Sequence, residues 1–199
     1  NDGTWTYTYD VEGNRTKRSK GAGLETWTYG YDHKNQLVWV EKRATDGGTL
    51  QSRVDYKYDA FNRRVQRAAD SDGNGNGSAD ATERFGYDSM HVWADLDGSN
   101  NLTYRRVYGT SVDSPVARVS SGGTVVWYLT DYQNSVVGQS DASGTIIGKV
   151  TYDGFGNILT DTTGVSGDRY GYTGRERDAV TGLQYNWNRW YDANLGKWM

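Results

Sequence analysis

Aromatic residues recur at every second position along this chain. They alternate with threonine, glycine or charged residues at positions 5–9 and 27–31, and at positions 54–58, where valine takes the first place. A period of two places the rings on one face of an extended strand. The pattern therefore predicts β-strands with one aromatic face.

Each of these runs ends in tyrosine followed at once by aspartate. The dipeptide occurs six times in the chain, at Tyr9-Asp10, Tyr31-Asp32, Tyr58-Asp59, Tyr87-Asp88, Tyr152-Asp153 and Tyr191-Asp192. The short carboxylate of Asp accepts hydrogen bonds from a turn backbone, so it should end the strand. Intervals of 22, 27 and 29 residues separate the first four pairs, and each interval fits one β-hairpin. The chain is expected to be a tandem array of hairpins.

The fold class predicted from these patterns is all-β, with tandem antiparallel hairpins because the links are short. No window of ten or more residues has a helical apolar period. At most, Arg175 to Ala179 could form one turn of helix. Residues 159–168 are rich in Thr, Gly, Asp and Ser and are expected to form a loop.

Aromatic residues should supply the core, because only 35% of the 199 residues are hydrophobic and eight Trp and sixteen Tyr are present. The tryptophans expected in this core are Trp5, Trp27, Trp39, Trp127, Trp187, Trp190 and Trp198. The alternative is that exposed rings form a surface that binds glycans, since Trp and Tyr stack on sugar faces. That surface would make the chain a carbohydrate-binding or adhesive module, or a subunit of a polymerising fibre.

Charge and cysteine content exclude several classes of function. The net charge is −3 and no basic stripe is present, so nucleic acid is not an expected partner. The absence of cysteine excludes disulfides, zinc thiolate sites and cysteine nucleophiles. No apolar stretch is long enough for a membrane span and no signal peptide is visible. We interpret the chain as part of a longer protein.

Two segments carry a family resemblance. One includes residues 127–137, 141–144 and 152–157, and the other covers residues 169–198. Together they resemble the core segment near the end of Rhs and YD-repeat proteins, and the Tyr-Asp units upstream resemble the repeats of that family. The resemblance implies a YD-repeat hairpin array over 1–119, with a loop insertion at 70–83. It also implies an Rhs-associated core segment over 120–199 that continues the same sheet.

The resemblance also implies an architecture and a role. In this family a β-sheet ribbon spirals into a hollow shell, which encloses a C-terminal toxin in polymorphic toxins and Tc-type complexes. Teneurins use a related shell outside animal cells. The implied function is a non-catalytic structural scaffold that is extracellular or at the cell surface. Its expected partners are the rest of the parent chain, or further copies that pair through edge strands.

The resemblance implies that one half of the family's aspartic autoprotease site is present in this sequence. Arg177-Asp178 resemble its Arg-Asp pair, and they lie ahead of Thr181-Gly182-Leu183. The second aspartate of the family belongs to an Asp-Pro dipeptide beyond the stretch that resembles 196–199. A carboxylate dyad needs two acids sharing a proton, so no self-cleavage by these 199 residues is expected. The alternative for Arg177 and Asp178 is a simple turn ion pair.

One loop matches a calcium-binding pattern. Residues 72–83 fit the twelve-residue EF-hand loop, which has oxygen ligands at positions one, three and five, Gly at six and Glu at twelve. The candidate ligands are Asp72, Asn74, Asn76, Ser78, Asp80 and Glu83, and Asp70 adds nearby negative charge. The flanks have strand rather than helix character, so a Gly/Asn-rich hairpin insertion remains the alternative. A bound Ca²⁺ would have a structural role.

Overall fold

The computed structural model describes residues 3–164 and 167–199. Its regular structure is antiparallel β-strand, and the described residues contain no α-helix. A short 3₁₀ turn lies at Tyr172–Gly174. The all-β prediction is therefore confirmed. The helical turn considered over 175–179 is wrong, because Glu176–Arg177 is a strand that pairs with the segment following it.

The strands β1 to β18 span Thr6–Tyr9, Arg15–Ser19, Thr26–Tyr31, Leu37–Arg43, Leu50–Tyr58, Arg64–Asp70, Ala81–Asp88, His91–Asp97, Leu102–Tyr108, Pro115–Ser120, Val125–Thr130, Val136–Ser140, Ile146–Tyr152, Ile158–Asp161, Glu176–Arg177, Gln184–Asn186, Arg189–Asp192 and Lys197–Trp198. Strands β1 to β14 follow chain order in a 14-stranded sheet, and β15 to β18 follow chain order in a four-stranded sheet. The tandem-hairpin prediction is confirmed. The loop expected over 159–168 is part strand, since β14 extends to Asp161, and residues 165 and 166 lie outside the described residues.

The chain forms two compact units. The first comprises the residues up to Arg84 together with 187–189 and Met199, and the second comprises 85–186 and 190–198. This division falls inside β7. The family-based boundary at residue 119 stays a prediction.

Arginines pack between the aromatic rings of the first unit. The guanidinium carbon of Arg18 lies 4.8 Å from the ring centre of Trp5 and 4.6 Å from that of Trp27. Arg15 lies 4.9 Å from the ring of Tyr29 and is itself buried. A guanidinium plane stacks well on an aromatic face. The core of this unit is thus aromatic and cationic together, whereas the sequence pattern predicted the rings alone.

Aromatic rings pack in the interior of the second unit at two places. Tyr128, Val136 and Tyr170 form one buried cluster, and Tyr185 packs on Trp190 with ring centres 5.1 Å apart. These contacts confirm that aromatic residues contribute to the core.

Two of the tryptophans assigned to the core are exposed instead. Trp127 is 44% exposed because it alternates with the buried Val126 and Tyr128 and so faces away from them. Trp198 is 54% exposed in the two-residue strand β18, where its ring packs on Tyr191 with ring centres 5.3 Å apart. The core prediction is wrong for these two rings.

Candidate functional site

Many of the turns between strands share one geometry. In six of them the Asp Oδ1 atom accepts hydrogen bonds from the backbone N–H groups two and four residues later, at 2.8–3.0 Å. The residue three positions after the Asp is Asn or Gly with φ between 59° and 91°, a region that Asn and Gly tolerate best. The six aspartates are Asp32, Asp59, Asp97, Asp131, Asp141 and Asp153. The repeated unit is therefore Asp-x-x-Asn/Gly-x.

The tyrosine of the repeat binds the neighbouring strand. The Tyr58 hydroxyl donates to the Leu37 carbonyl at 2.7 Å, and the Tyr152 hydroxyl donates to the Val136 carbonyl at 2.9 Å. Tyr31 and Tyr108 make the same contact to carbonyls in β2 and β8 at 3.1 Å. Burial raises the pKa of Tyr152, so its hydroxyl remains a neutral donor.

Three of the six Tyr-Asp pairs form this turn, at Asp32, Asp59 and Asp153, and a fourth approaches it, since the Asp10 Oδ1 atom accepts from the Asn14 N–H at 2.7 Å and Gly13 has φ of 87°. The other two pairs do not form this turn. Asp88 is the last residue of β7, and the next strand begins three residues later at His91. Asp192 ends β17, and its Oδ1 atom accepts from the Asn194 N–H at 3.1 Å. Asp97, Asp131 and Asp141 form the turn with no tyrosine before them. The Asp-led turn predicted from the dipeptide is confirmed, and the dipeptide is an incomplete signature of it.

The second unit contains a buried ionic cluster, formed by Asp95, Arg106, Arg118, Asp168, Arg169 and Glu176. Arg169 donates to both oxygens of Asp95, at 2.7 and 2.6 Å. Arg106 contacts Asp95 and Asp168, and Arg118 lies 3.3 Å from Asp168. Arg169 also pairs with Glu176. Three cations balance three anions, and each charge has an opposite partner.

Tyrosines complete the cluster. The Arg106 Nη1 atom donates to the Tyr128 hydroxyl at 2.8 Å, and that hydroxyl donates to Asp168. The hydroxyls of Tyr108 and Tyr170 are 2.6 Å apart, and the Arg106 guanidinium lies 5.1 Å from the Tyr170 ring centre. The network therefore joins residues 168–176 to strands β8 to β11.

The charges of the cluster stabilise one another. Burial alone would raise the pKa of Asp95, but the neighbouring Arg169 and Arg106 hold it below its ordinary value. Burial likewise opposes ionisation of Asp168, and Arg106, Arg169 and Arg118 together hold its pKa far below the ordinary value. Both carboxylates are therefore ionised at neutral pH.

The sequence pattern does not reveal this cluster, although it contains one signal of it. Tyr104, Arg106 and Tyr108 alternate along β9, so the period of two places Arg106 on the same face as the rings. The acidic partners lie 11 and 62 residues away in sequence. No local pattern shows such pairings.

Asp178, the half-site aspartate, closes a turn. Its Oδ1 atom accepts from the N–H groups of Val180 and Thr181, at 2.9 and 3.0 Å. Its backbone N–H donates to the Leu183 carbonyl at 2.8 Å. Asp178 is buried, whereas Arg177 is exposed. These hydrogen bonds stabilise the turn that connects β15 and β16, so the role of Asp178 in this geometry is structural.

The structure places some, but not all, of the candidate calcium ligands in the turns of the 72–83 loop. Asp72 Oδ1, Asn74 Oδ1 and Asn76 Oδ1 accept from the N–H groups of Asn74, Asn76 and Ser78, respectively, at 2.7–2.8 Å. One oxygen of Asp80 accepts from the N–H groups of Ser71 and Asp72. Glu83 lies in β7, where its carboxylate pairs with Arg67 at 3.0 Å.

A family model described as the teneurin YD-shell matches residues 3–199. The chain belongs to the teneurin YD-shell family. The resemblance to Rhs and YD-repeat proteins is thereby confirmed over nearly the whole sequence.

Relatives of this YD-shell chain are bacterial proteins named as toxins or nucleases. It is 31% identical over 191 residues to the tRNA3(Ser)-specific nuclease WapA of Bacillus spizizenii, covering 94% of the chain and 7% of that protein. It is 24% identical over 215 residues to the double-stranded DNA deaminase toxin A of Burkholderia cenocepacia, covering 97% of the chain and 15% of that protein. The chain thus spans a small fraction of the length of these relatives.

A solved structure has the same fold. The crystal structure of TcdB2-TccC3-TEV superposes with a TM-score of 0.66 at 19% identity, over 98% of the chain and 12% of that structure's chain. In the described part of the YD-shell chain, no helix has the length and apolar character that crossing a membrane requires.

Proposed function

We propose that this chain is a non-catalytic structural part of a toxin-type YD shell, which encases or presents a C-terminal effector. The family assignment supports a shell role. One relative is named as a nuclease, and this chain corresponds to 7% of its length. Another is named as a deaminase toxin, and this chain corresponds to 15% of its length. We assign such activities to other parts of those long proteins and the structural role to this part.

The observation that carries the proposal is the buried ionic cluster. Its charges are balanced, and the carboxylates of Asp95 and Asp168 are ionised and already bound by arginines. A general acid or base needs a pKa near the working pH, and Asp95 and Asp168 are shifted in the opposite direction. The cluster is therefore suited to hold residues 168–176 on the sheet rather than to transfer protons.

The same reasoning supports a structural role for Asp178. Two backbone N–H groups occupy its Oδ1 atom, and Asn can accept the same hydrogen bonds. Asp178→Asn should therefore retain the fold, and neither variant nor wild type should yield a cleavage product on a denaturing gel. A cleavage product from the wild-type 199-residue chain that disappears in Asp178→Asn would refute the non-catalytic assignment.

The proposed partners are other strands of the parent chain, or further copies of this chain. Strands β1 and β14 are terminal in the 14-stranded sheet, and terminal strands are templates for pairing. We place the parent protein outside the cell or at its surface, in line with the toxin relatives. Light scattering over a concentration series tests self-association, and a mass that stays monomeric at every concentration would remove the second copy as a partner.

Protease protection tests encasement. In the intact parent protein, the segment that follows this chain should resist a broad-specificity protease while the shell is folded. Asp168→Asn should shorten that protection, because it removes a charge from the cluster, whereas the surface variant Asp55→Asn should leave it unchanged. Rapid digestion of the downstream segment in the wild-type protein would contradict encasement.

A second candidate function is glycan binding, and two exposed rings favour it. Trp93 and Trp127 are both about half exposed, and exposed indoles can stack on sugar faces. A glycan that binds this chain on an array would be titrated while tryptophan fluorescence is recorded. The fluorescence should change on binding, and Trp127→Ala should reduce that change. An unchanged spectrum with wild type across the glycans tested would exclude this function for them.

A further inference from the structure

A buried carboxylate that lacks a hydrogen-bond partner lies at the base of the loop that follows β6. Asp70 is the last residue of β6 and is only 2% exposed. Among the residues that the structure describes, neither of its carboxylate oxygens has a hydrogen-bond partner. A buried and unpaired carboxylate is costly, and such groups in proteins are normally paired or bound to a metal.

Two further carboxylates surround it. One oxygen each of Asp70, Asp72 and Asp80 lie within 4.8 Å of one another. Within the described ranges, none of the three makes an ion pair with lysine or arginine. Burial raises the pKa of Asp70, and the negative charges of Asp72 and Asp80 raise it further.

We propose that Asp70, Asp72 and Asp80 form a binding site for a divalent cation, and that this cation is calcium. The three oxygens are close enough to share one cation, and one of them belongs to the buried Asp70, whose two oxygens lack a hydrogen-bond partner. A hard cation would satisfy the buried carboxylate and cancel the repulsion between the three charges.

Calcium fits the chemistry of the donors. Every candidate ligand here is an oxygen, and the chain has no cysteine, which disfavours the softer metals that prefer sulfur. Calcium takes six to eight oxygens in flexible arrangements. Asn74 and Asn76 each use one lone pair of the amide oxygen for a backbone hydrogen bond, and the second lone pair stays available.

This ligand set differs from the EF-hand set in one decisive residue. The EF-hand pattern makes Glu83 the bidentate ligand at position twelve. In the structure, Glu83 lies in β7 and is neutralised by Arg67 at 3.0 Å. Asp70, which precedes the twelve-residue pattern, takes the place of Glu83 in our assignment.

Isothermal titration of the 199-residue chain with CaCl₂, in a buffer containing MgCl₂, tests the site. Wild type should bind calcium and gain thermal stability from it. Asp70→Asn keeps the shape and removes one charge, so calcium affinity should fall about tenfold or more. Glu83→Gln is the matched control, and its affinity should stay within about twofold of wild type.

Circular dichroism in the absence of calcium checks that each variant folds. If Asp70→Asn does not fold, Asp72→Asn in the exposed part of the loop replaces it, with the same expected loss of affinity. Three results would overturn the assignment: no calcium binding by wild type at millimolar concentration, unchanged binding by the Asp70 and Asp72 variants, or loss of binding in Glu83→Gln alone. The last result would restore the EF-hand ligand set.

Discussion

At the scale of single residues, buried charges of the second unit are held by specific partners. Asp168 is contacted by Arg106, Arg118 and the Tyr128 hydroxyl. Removal of one partner from such a group leaves the others buried and uncompensated. The cluster thus tolerates loss of a member poorly, even where its net contribution to the free energy of unfolding is small.

Asp168→Asn should lower the free energy of unfolding by about 3–5 kcal/mol, because Arg106 would keep its charge with one partner fewer. Denaturant unfolding followed by tryptophan fluorescence measures the change. Asp55→Asn is the control: its ion pair with Arg53 is partly exposed, with the Asp55 side chain 42% exposed, so its cost should stay below about 1 kcal/mol. Equal costs for the two variants would refute a special role for the cluster.

The same carboxylates make stability depend on pH. Asp95 and Asp168 have folded-state pKa values below their ordinary values, so the unfolded chain binds more protons in acid. Their stabilising contribution is complete above the unfolded pKa of about 4 and is lost as pH falls toward the folded pKa.

Unfolding free energy measured from pH 7 down to pH 3 should therefore decline below about pH 4–5, the range in which unfolded aspartates begin to protonate. The decline should be shallower in Asp168→Asn, which has one such carboxylate fewer. Wild-type stability that is constant or rises over this acid range would contradict the linkage.

At the scale of elements, the hairpins depend on the Asp-x-x-Asn/Gly-x turn. Asp131 shows its parts: the Oδ1 atom accepts from the N–H groups of Gln133 and Ser135 at 2.9 and 2.8 Å. Asn134 between them has φ of 63°. The side chain thus satisfies two backbone donors that no ladder bond can reach.

Asp131→Ala should lower the free energy of unfolding by about 1–2 kcal/mol, since two backbone donors lose their acceptor. Asp131→Asn keeps an acceptor oxygen and should cost less than about 1 kcal/mol. Thermal and denaturant unfolding of both variants measure this difference. Equal losses would show that the charge, rather than the hydrogen-bond geometry, matters at this turn.

At the scale of the whole molecule, the predictable features are those encoded locally. A hairpin with its Asp-led turn and its Tyr–carbonyl bond is specified within about 25 residues, so the strand order could be anticipated from the sequence. The contact of Arg169 with Asp95 joins residues 74 positions apart, and nothing local indicates it. The exposure of Trp127 was missed for a related reason, because a period of two gives two faces but does not say which one is covered.

Amide hydrogen exchange of the 199-residue chain tests most directly whether the buried cluster fastens residues 168–177 to the sheet. The amides of Gly171 and Arg177 donate to backbone carbonyls in this segment. In wild type they should exchange as slowly as the amides of β8 to β12, and in Asp168→Asn they should exchange faster than those strands. Exchange in wild type as fast as that of the exposed Gly122 amide would contradict the account.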